Sequence, residues 1–313
     1  MHAVVIEDGH LVYAEREDPV PGDTELLVEV QAAGINGADI SQRAGFYPAP
    51  PGWPQDIPGM EMAGVVVGAG SAVTLFAPDD RVMALVGGGA QATLAYVDES
   101  HAMAVPDDLP WAHAGGFPEV FCTAYDALFS QAQLGMGERV LVSGAAGGVG
   151  TAGVQLAAAT GATVVATVRD PERREAVAAL GAHVVVAPGE EAAHGPYDVV
   201  LELVGAPSLT HVLPALATGA RVVVIGVGGG AQLEVNLFTL MGKRARIGGS
   251  TLRGRSRREK ADVTTGVIRH VLPLLAAGRV EVPVLETFPF AEGEAAYNRF
   301  TEGHKLGKIV LVP

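Results

Sequence analysis

The residues with the most chemical content lie in Val140-Leu141-Val142-Ser143-Gly144-Ala145-Ala146-Gly147-Gly148-Val149-Gly150. An apolar strand enters a glycine-rich turn, and a helical pattern follows directly. Such a turn brings backbone N–H groups close to a pyrophosphate, and the helix N-terminus favours its negative charge. The spacing Gly144-x-x-Gly147-x-x-Gly150 predicts dinucleotide binding by Gly144, Ala145, Gly147, Gly148, Val149 and Gly150. A bare glycine triplet is also a tight turn without ligand; the flanking strand and helix favour the cofactor. The next strand ends at Thr167-Val168-Arg169, followed by Asp170-Pro171-Glu172-Arg173. A carboxylate there would accept from a ribose 2′-OH, whereas an arginine attracts a 2′-phosphate. Arg169 and Arg173 therefore predict NADPH, with Asp170 arguing the other way. Either arginine could instead be an exposed helix-start residue paired with Glu172 or Glu175. Gly226 and Gly228 follow a later strand and are expected on the same cofactor face, unless they form an ordinary loop. No His-Glu-x-x-His pair, Gly-x-Ser-x-Gly elbow or Walker loop occurs, which disfavours hydrolase and kinase chemistry.

A parallel sheet has to position that turn. From about residue 120 strands and helices alternate, the pattern of a doubly wound α/β sheet. Strands are predicted at 139–143, 163–168, 183–186, 198–202, 221–225 and 245–249, with helices at 149–159, 171–180 and 207–217. Pro171 and Pro207 suit a first helical turn, and Gly161 and Gly181 suit helix ends. Before residue 118, short runs at 3–6, 11–14, 25–30, 64–67, 81–86 and 92–97 predict antiparallel β structure, interrupted by a short helix at 38–44. After residue 256 a helix at 260–276 precedes short strands ending at 308–312.

Composition bounds the alternatives. The 313 residues are 49% apolar and 18% charged, enough for two domains at roughly 100–200 residues each. The single cysteine, Cys122, permits neither an internal disulfide nor a cysteine-rich zinc site, so a reducing cytoplasm is the expected location. A formal charge of −14 makes nucleic acid an unexpected partner. Arg253 to Lys260 is the only basic cluster and is expected to be a solvated helix entrance. Residues 1–12 lack the basic-then-apolar layout of a signal peptide, and no run reaches the ~18–20 apolar residues of a membrane span.

Several segments together resemble the zinc-independent quinone oxidoreductases of the medium-chain dehydrogenase/reductase superfamily. They are Ala32 to Asp39, Gly45-Phe46-Tyr47-Pro48, Pro58 to Gly64, Pro118 to Tyr125, the Gly144 turn and Gly307-Lys308-Ile309-Val310-Leu311. The resemblance implies a GroES-like, or chaperonin-10-like, mostly β domain from residues 1–120 and 256–313. A Rossmann domain at 121–255 would be inserted in it, with a cleft between the two and a homodimeric assembly. It also implies that Lys308 faces the cofactor and that Lys243 and Arg244 lie near the cleft, if they are not a solvated pair.

Zinc-dependent relatives place metal ligands at positions matching Asn36, Met60 and Glu119. An amide, a thioether and a carboxylate do not make the usual N/S tetrahedral set, so no metal is expected. Without a Lewis acid, the acceptor must delocalise the incoming charge itself, as a quinone or conjugated enone does. The expected activity is NADPH-dependent reduction of a small hydrophobic quinone, with α,β-unsaturated carbonyls or enoyl thioesters as the alternative. A non-catalytic NADPH-binding protein is the alternative of another class. Candidate polar groups are Asn36, Tyr47 and Thr123. Asn36 could bond the acceptor or serve only as a helix N-cap. Tyr47 could stack on a quinone or only pin its loop. Thr123 matches a position near nicotinamide in the family, or caps a helix starting there. Glu61 and Glu119 are expected to be structural carboxylates.

Overall fold

The computed structural model describes residues 1–313, and its strands are β1 (His2–Glu7), β2 (His10–Glu15), β3 (Glu25–Gly34), β4 (Glu61–Ala69), β5 (Arg81–Leu85), β6 (Leu94–Asp98), β7 (Ala102–Ala104), β8 (Arg139–Val142), β9 (Thr163–Thr167), β10 (Val184–Val186), β11 (Tyr197–Glu202), β12 (Leu216–Val224), β13 (Arg246–Gly249), β14 (Val284–Pro289) and β15 (Lys308–Val312). The helices are α1 (Gly37–Arg43), α2 (Trp111–Gly115), α3 (Pro118–Tyr125), α4 (Gly148–Ala159), α5 (Arg174–Ala179), α6 (Ala206–Val212), α7 (Leu237–Lys243), α8 (Arg257–His270), α9 (Leu272–Ala276) and α10 (Gly293–Glu302).

The valine-rich strands β8 to β13 form one parallel sheet in the order β10-β9-β8-β11-β12-β13. The order reverses direction at β8, so the turn after β8 opens at a topological switch point, where ligands bind in such sheets. This is the Rossmann arrangement expected from the alternating pattern. The second sheet runs β14-β15-β3-β4-β5-β7, with β6 also pairing β3. β15 lies antiparallel to β3 through Val310–Gly34 and Leu311–Ala33, so the chain's end completes a sheet begun near its start. Together the sheets give the α/β Rossmann and GroES-like fold class.

One apolar core passes from Met83, Leu85 and Met103 through Phe117 and Phe121 of α2–α3 to Val142, Val154 and Leu201 of the parallel sheet. The helices α3 and α4 are thereby clamped between the two sheets. Burial of this kind contributes roughly 25 cal/mol per Å² of apolar surface.

Several element boundaries differ from the sequence reading. The helix expected at 207–217 stops at Val212, because Pro214 has no N–H to continue it, and Leu216–Val224 becomes β12. The helix expected at 260–276 starts earlier, at Arg257, and breaks at Val271, just before Pro273. Between 277 and 308 the chain forms not only a strand but also α10, whose inward Ala296 and Tyr297 are fully buried. Its apolar residues Ala296, Tyr297 and Phe300 recur at helical spacing, a short signal beside the neighbouring strands.

Candidate active site

Gly144 turns the chain out of β8 at φ +62°, and its N–H is held by Thr167 Oγ1 at 3.2 Å. Ala145 donates its N–H to Thr167 O at 3.0 Å. Both bonds tie the turn to β9 before α4 begins. Gly150 has no room for a side chain: a Cβ there would lie 2.5 Å from Gly144 O and 2.6 Å from Ala145 Cα. The first return bond of α4 is Thr151 N–H to Gly147 O at 2.8 Å. The amides of its first turn are therefore left for an anion. Gly307 donates to Ala146 O at 2.9 Å, fastening the segment before β15 to the glycine turn.

Opposite the turn lies a cleft of about 900 Å³ whose lining includes Asn36, Tyr47, Met60, Glu119, Thr123, Gly144, Gly147, Gly148, Val149, Gly150, Gly226, Gly228, Arg253, Lys305 and Lys308. It brings most of the sequence-derived candidates together. Ala145, Arg169 and Arg173 are not in its lining. Ala145 is fully buried beneath the turn, with its N–H spent on β9, so its place is structural. Arg173 Nη2 donates to His304 O at 3.3 Å, and Arg169 lies against Gly303. The arginines thus border the 303–304 loop, immediately before Lys305, which does face the cleft. Lys243 and Arg244 end α7 and do not line the cleft either.

The floor is a buried polar network. Lys308 donates to Ile35 O (2.8 Å), Asn36 Oδ1 (2.7 Å) and Glu61 Oε1 (2.6 Å), which uses all three ammonium hydrogens. Its place in the cleft is as an organiser of the floor, with no free N–H for a cofactor. Asn36 sits at the N-cap position of α1, and its Nδ2 also donates to Glu61 Oε1 at 2.8 Å. One N–H of that amide is left over. Asp39 accepts from Asn36 N and Gly59 N (2.8 and 3.1 Å), and burial raises it to about 6. Glu61 Oε2 accepts from Glu119 N at 2.8 Å and anchors the amino end of α3.

Thr123 does not start a helix. It lies in the second turn of α3, which Pro118 initiates, and its Oγ1 donates to Glu119 Oε1 at 3.3 Å. Burial, with the nearby Glu61 carboxylate, raises Glu119 to about 7. Tyr47 is half-buried, and burial pushes its phenol up. The Arg253 guanidinium lies 5.4 Å from the ring centroid and donates to Tyr47 O at 3.1 Å.

Arg253 also donates to Gly87 O (2.7 Å) and Gln42 Oε1 (2.6 Å) and is only 3% exposed. The expectation of a solvated basic cluster holds only for Arg257 and Arg258, exposed where α8 begins, and is corrected for the rest: Arg253 and Lys260 are buried, and Arg255 forms a two-pronged pair with Asp126 at 2.9 and 2.7 Å. A run of basic residues reads as solvated unless the chain is known to fold it into a cleft. The signal that was available is position, because Arg253 follows the last strand of the parallel sheet.

Glu202, fully buried at the end of β11, accepts from Ser143 Oγ, Val204 N, Gly205 N and Ser208 Oγ at 2.7–2.8 Å. It welds the loop beside Gly226, whose N–H bonds Glu202 O at 3.2 Å. Sequence reading missed this carboxylate because its partners come from separate strands and loops.

Comparison with known proteins agrees with this geometry. The alcohol dehydrogenase GroES-like domain profile matches residues 22–129, and the zinc-binding dehydrogenase profile matches residues 148–267. Rat (Rattus norvegicus) quinone oxidoreductase is 30% identical, over 94% of this chain and 91% of its own length. The chain belongs to the quinone oxidoreductase-type family of the medium-chain dehydrogenase/reductase superfamily. It is a nicotinamide-dependent oxidoreductase. Acryloyl-coenzyme A reductase of Metallosphaera sedula is 29% identical, with 99% of both chains aligned. The crystal structure of an alcohol dehydrogenase superfamily protein from Novosphingobium aromaticivorans superposes with a TM-score of 0.89 at 31% identity, covering 100% of this chain and 99% of that one.

The second profile carries zinc in its description, so the donor set needs a test. No group of three or more His, Cys, Asp or Glu is arranged to hold a metal. At the positions matching the zinc ligands of zinc-dependent relatives, this member of the superfamily has the Asn36 amide, the Met60 thioether and the Glu119 carboxylate, and the neighbouring Glu61 is already paired with the Lys308 ammonium. That set does not fit zinc.

Proposed function

We propose that the enzyme is an NADPH-dependent quinone reductase working by metal-free hydride transfer. The observation that carries this reading is the ammonium of Lys308 bonded to Asn36 and Glu61 on the floor of a cleft opposite the glycine turn. The Asn36 amide that this network holds in place, with its remaining N–H and the Thr123 and Tyr47 hydroxyls of the same cleft, can orient and polarise a conjugated carbonyl. They cannot generate an alkoxide from a saturated alcohol as a Lewis-acidic metal does. The bound cofactor supplies the hydride. The amides of Gly147 to Gly150 and the α4 terminus hold its pyrophosphate, and Arg169 and Arg173 take the 2′-phosphate beyond the cleft. The free N–H of Asn36 points to the acceptor oxygen, Thr123 lies beside the nicotinamide, and Tyr47 covers the acceptor ring. The proposed division is residues 1–120 with 256–313 and residues 121–255, in a homodimer.

Reduction of conjugated thioesters is the second reading, favoured by the full-length alignment with an enzyme named acryloyl-coenzyme A reductase. One experiment separates the readings: NADPH oxidation with phenanthrenequinone, 2-alkenals and an enoyl-CoA, with and without chelator. Faster turnover on quinones, unchanged by chelator, is expected. Faster turnover on the thioester reverses the ranking, and chelator-sensitive oxidation of saturated alcohols ends both.

A further inference from the structure

Glu119 is the one carboxylate of the cleft that the floor network leaves half-used. Its backbone N–H is fixed by Glu61 Oε2 at 2.8 Å, and its Oε1 accepts from Thr123 at 3.3 Å. Its Oε2 is shielded from water and has no hydrogen-bond partner. An ionised oxygen left so is costly, since a buried acceptor without a donor forfeits its solvation. A protonated one needs an acceptor, and the protein supplies none. The ammonium of Lys308 is already committed to Ile35, Asn36 and Glu61. The missing partner is therefore an acceptor atom brought in by a ligand.

We propose that Glu119 is the proton donor of the reaction, its carboxyl O–H hydrogen-bonding the carbonyl oxygen of the acceptor in the cleft. This rests on the reading of the cleft as a conjugated-carbonyl reductase site. Glu119 lines the cleft, and rotation about its terminal side-chain bond, a soft torsion, exchanges its two oxygens, so that the one without a protein donor can turn to an incoming ligand as the other takes the bond from Thr123. The step balances. The electron pair delivered as hydride forms a new bond to the conjugated acceptor, and the displaced π pair moves onto its carbonyl oxygen. That oxygen takes the proton as the Glu119 O–H bond breaks. Glu119 is left as a carboxylate and regains its proton from water after product leaves.

The charged and titratable groups facing Glu119 come from every neighbouring element. They are Glu61 of β4, Asp39 of α1, Lys308 of β15, Lys260 of α8, Arg253 of the loop after β13, Tyr47 of the loop after α1 and, on its own helix, the Cys122 thiol. Burial and the two carboxylates favour the neutral acid, while Lys308 and Thr123 favour the anion, leaving it at about 7. An acid poised near the working pH is what general acid catalysis requires.

The test uses the full-length protein with and without NADPH. In the free enzyme, infrared difference spectra across about pH 5 to 8.5 are expected to show two carboxylic-acid components that disappear with rising pH, one near 6 from Asp39 and one near 7 that is missing in Glu119→Gln. That variant is expected to bind NADPH normally, by cofactor fluorescence, with kcat lower by about 100-fold or more and without the alkaline limb of kcat/KM. Thr123→Val removes a bond that favours the anion, so its alkaline limb moves to higher pH. A Glu119→Gln enzyme with kcat within about threefold of the parent and an unchanged pH profile overturns the proposal. So does a limb that Thr123→Val fails to move, or a component titrating near 7 that survives in Glu119→Gln. If the parent enzyme reduces no quinone, alkenal or thioester, the proposed function fails; the infrared component lost in Glu119→Gln, read without cofactor, still reports on Glu119.

Discussion

Lys308 and Glu61 form an ion pair at 2.6 Å with side chains 2% and 0% exposed. Coulomb attraction in such a place is largely offset by lost hydration, so the pair is worth little against an apolar replacement. Losing one member is different, because the other stays charged and buried. Lys308→Met should cost about 3–5 kcal/mol in denaturant unfolding, and the double variant Lys308→Met with Glu61→Leu should recover part of it. A single variant as stable as the parent would show that the pair is hydrated in solution. Glu119 carries the opposite kind of cost. Burial holds its folded pKa at about 7, above the ordinary carboxylate value. The folded state therefore binds the extra proton, and that stabilisation is complete below the unfolded pKa and is lost as pH rises through 7. Glu119→Gln should consequently melt a few degrees above the parent near pH 8, with the gap closing near pH 4. Equal melting temperatures at both pH values would mean that the carboxyl is solvated.

The element proposed to read the 2′-phosphate is composite, since the β9–α5 loop would supply Arg169 and Arg173 and the loop before β15 packs Gly303 and His304 against them and carries Lys305 to the cleft. Arg173 bonds His304 O at 3.3 Å, and His304 Nδ1 meets Asp170 Oδ2 at 3.0 Å. This arrangement leaves Asp170 paired, which weakens its opposition to a 2′-phosphate. Arg173→Glu should raise KM for NADPH by about tenfold or more and change KM for NADH much less. Equal changes for both cofactors would remove Arg173 from phosphate recognition. The strand, glycine turn and helix from Arg139 to Ala159 were legible in the chain because local order suffices: they lie within one βαβ unit. Lys305 and Arg253 were not, because each reaches the cleft only after a long-range closure, Lys305 through β15 pairing with β3 and Arg253 through contacts with Gly87 and Gln42. Thr123 was placed one turn wrongly for a related reason: Pro118 and the Glu61 anchor begin α3 earlier than the local sequence suggests.

At the scale of the whole molecule, the parallel sheet ends without a neighbour at β13, which pairs only with β12. An open strand edge offers unpaired N–H and C=O groups to a second chain. Beside it in sequence, α7 carries Leu237, Phe238 and Met241 at 68%, 82% and 68% exposure, a concentration of apolar surface that isolated soluble chains rarely leave uncovered. The proposed homodimer would cover both features if a two-fold axis brought β13 against β13 and the α7 faces against one another. The same association would rigidify the strand that leads into Ser250 and Arg253, and hence the wall of the cleft. Phe238→Asp combined with Met241→Asp introduces two charges into that contact in each protomer and should shift the protein from dimer to monomer by light scattering. Because the strand then loses its partner, KM for the acceptor should rise while the circular dichroism spectrum stays that of the folded chain. A parent protein that is monomeric at high concentration, or a double variant that remains dimeric, would place the assembly surface elsewhere.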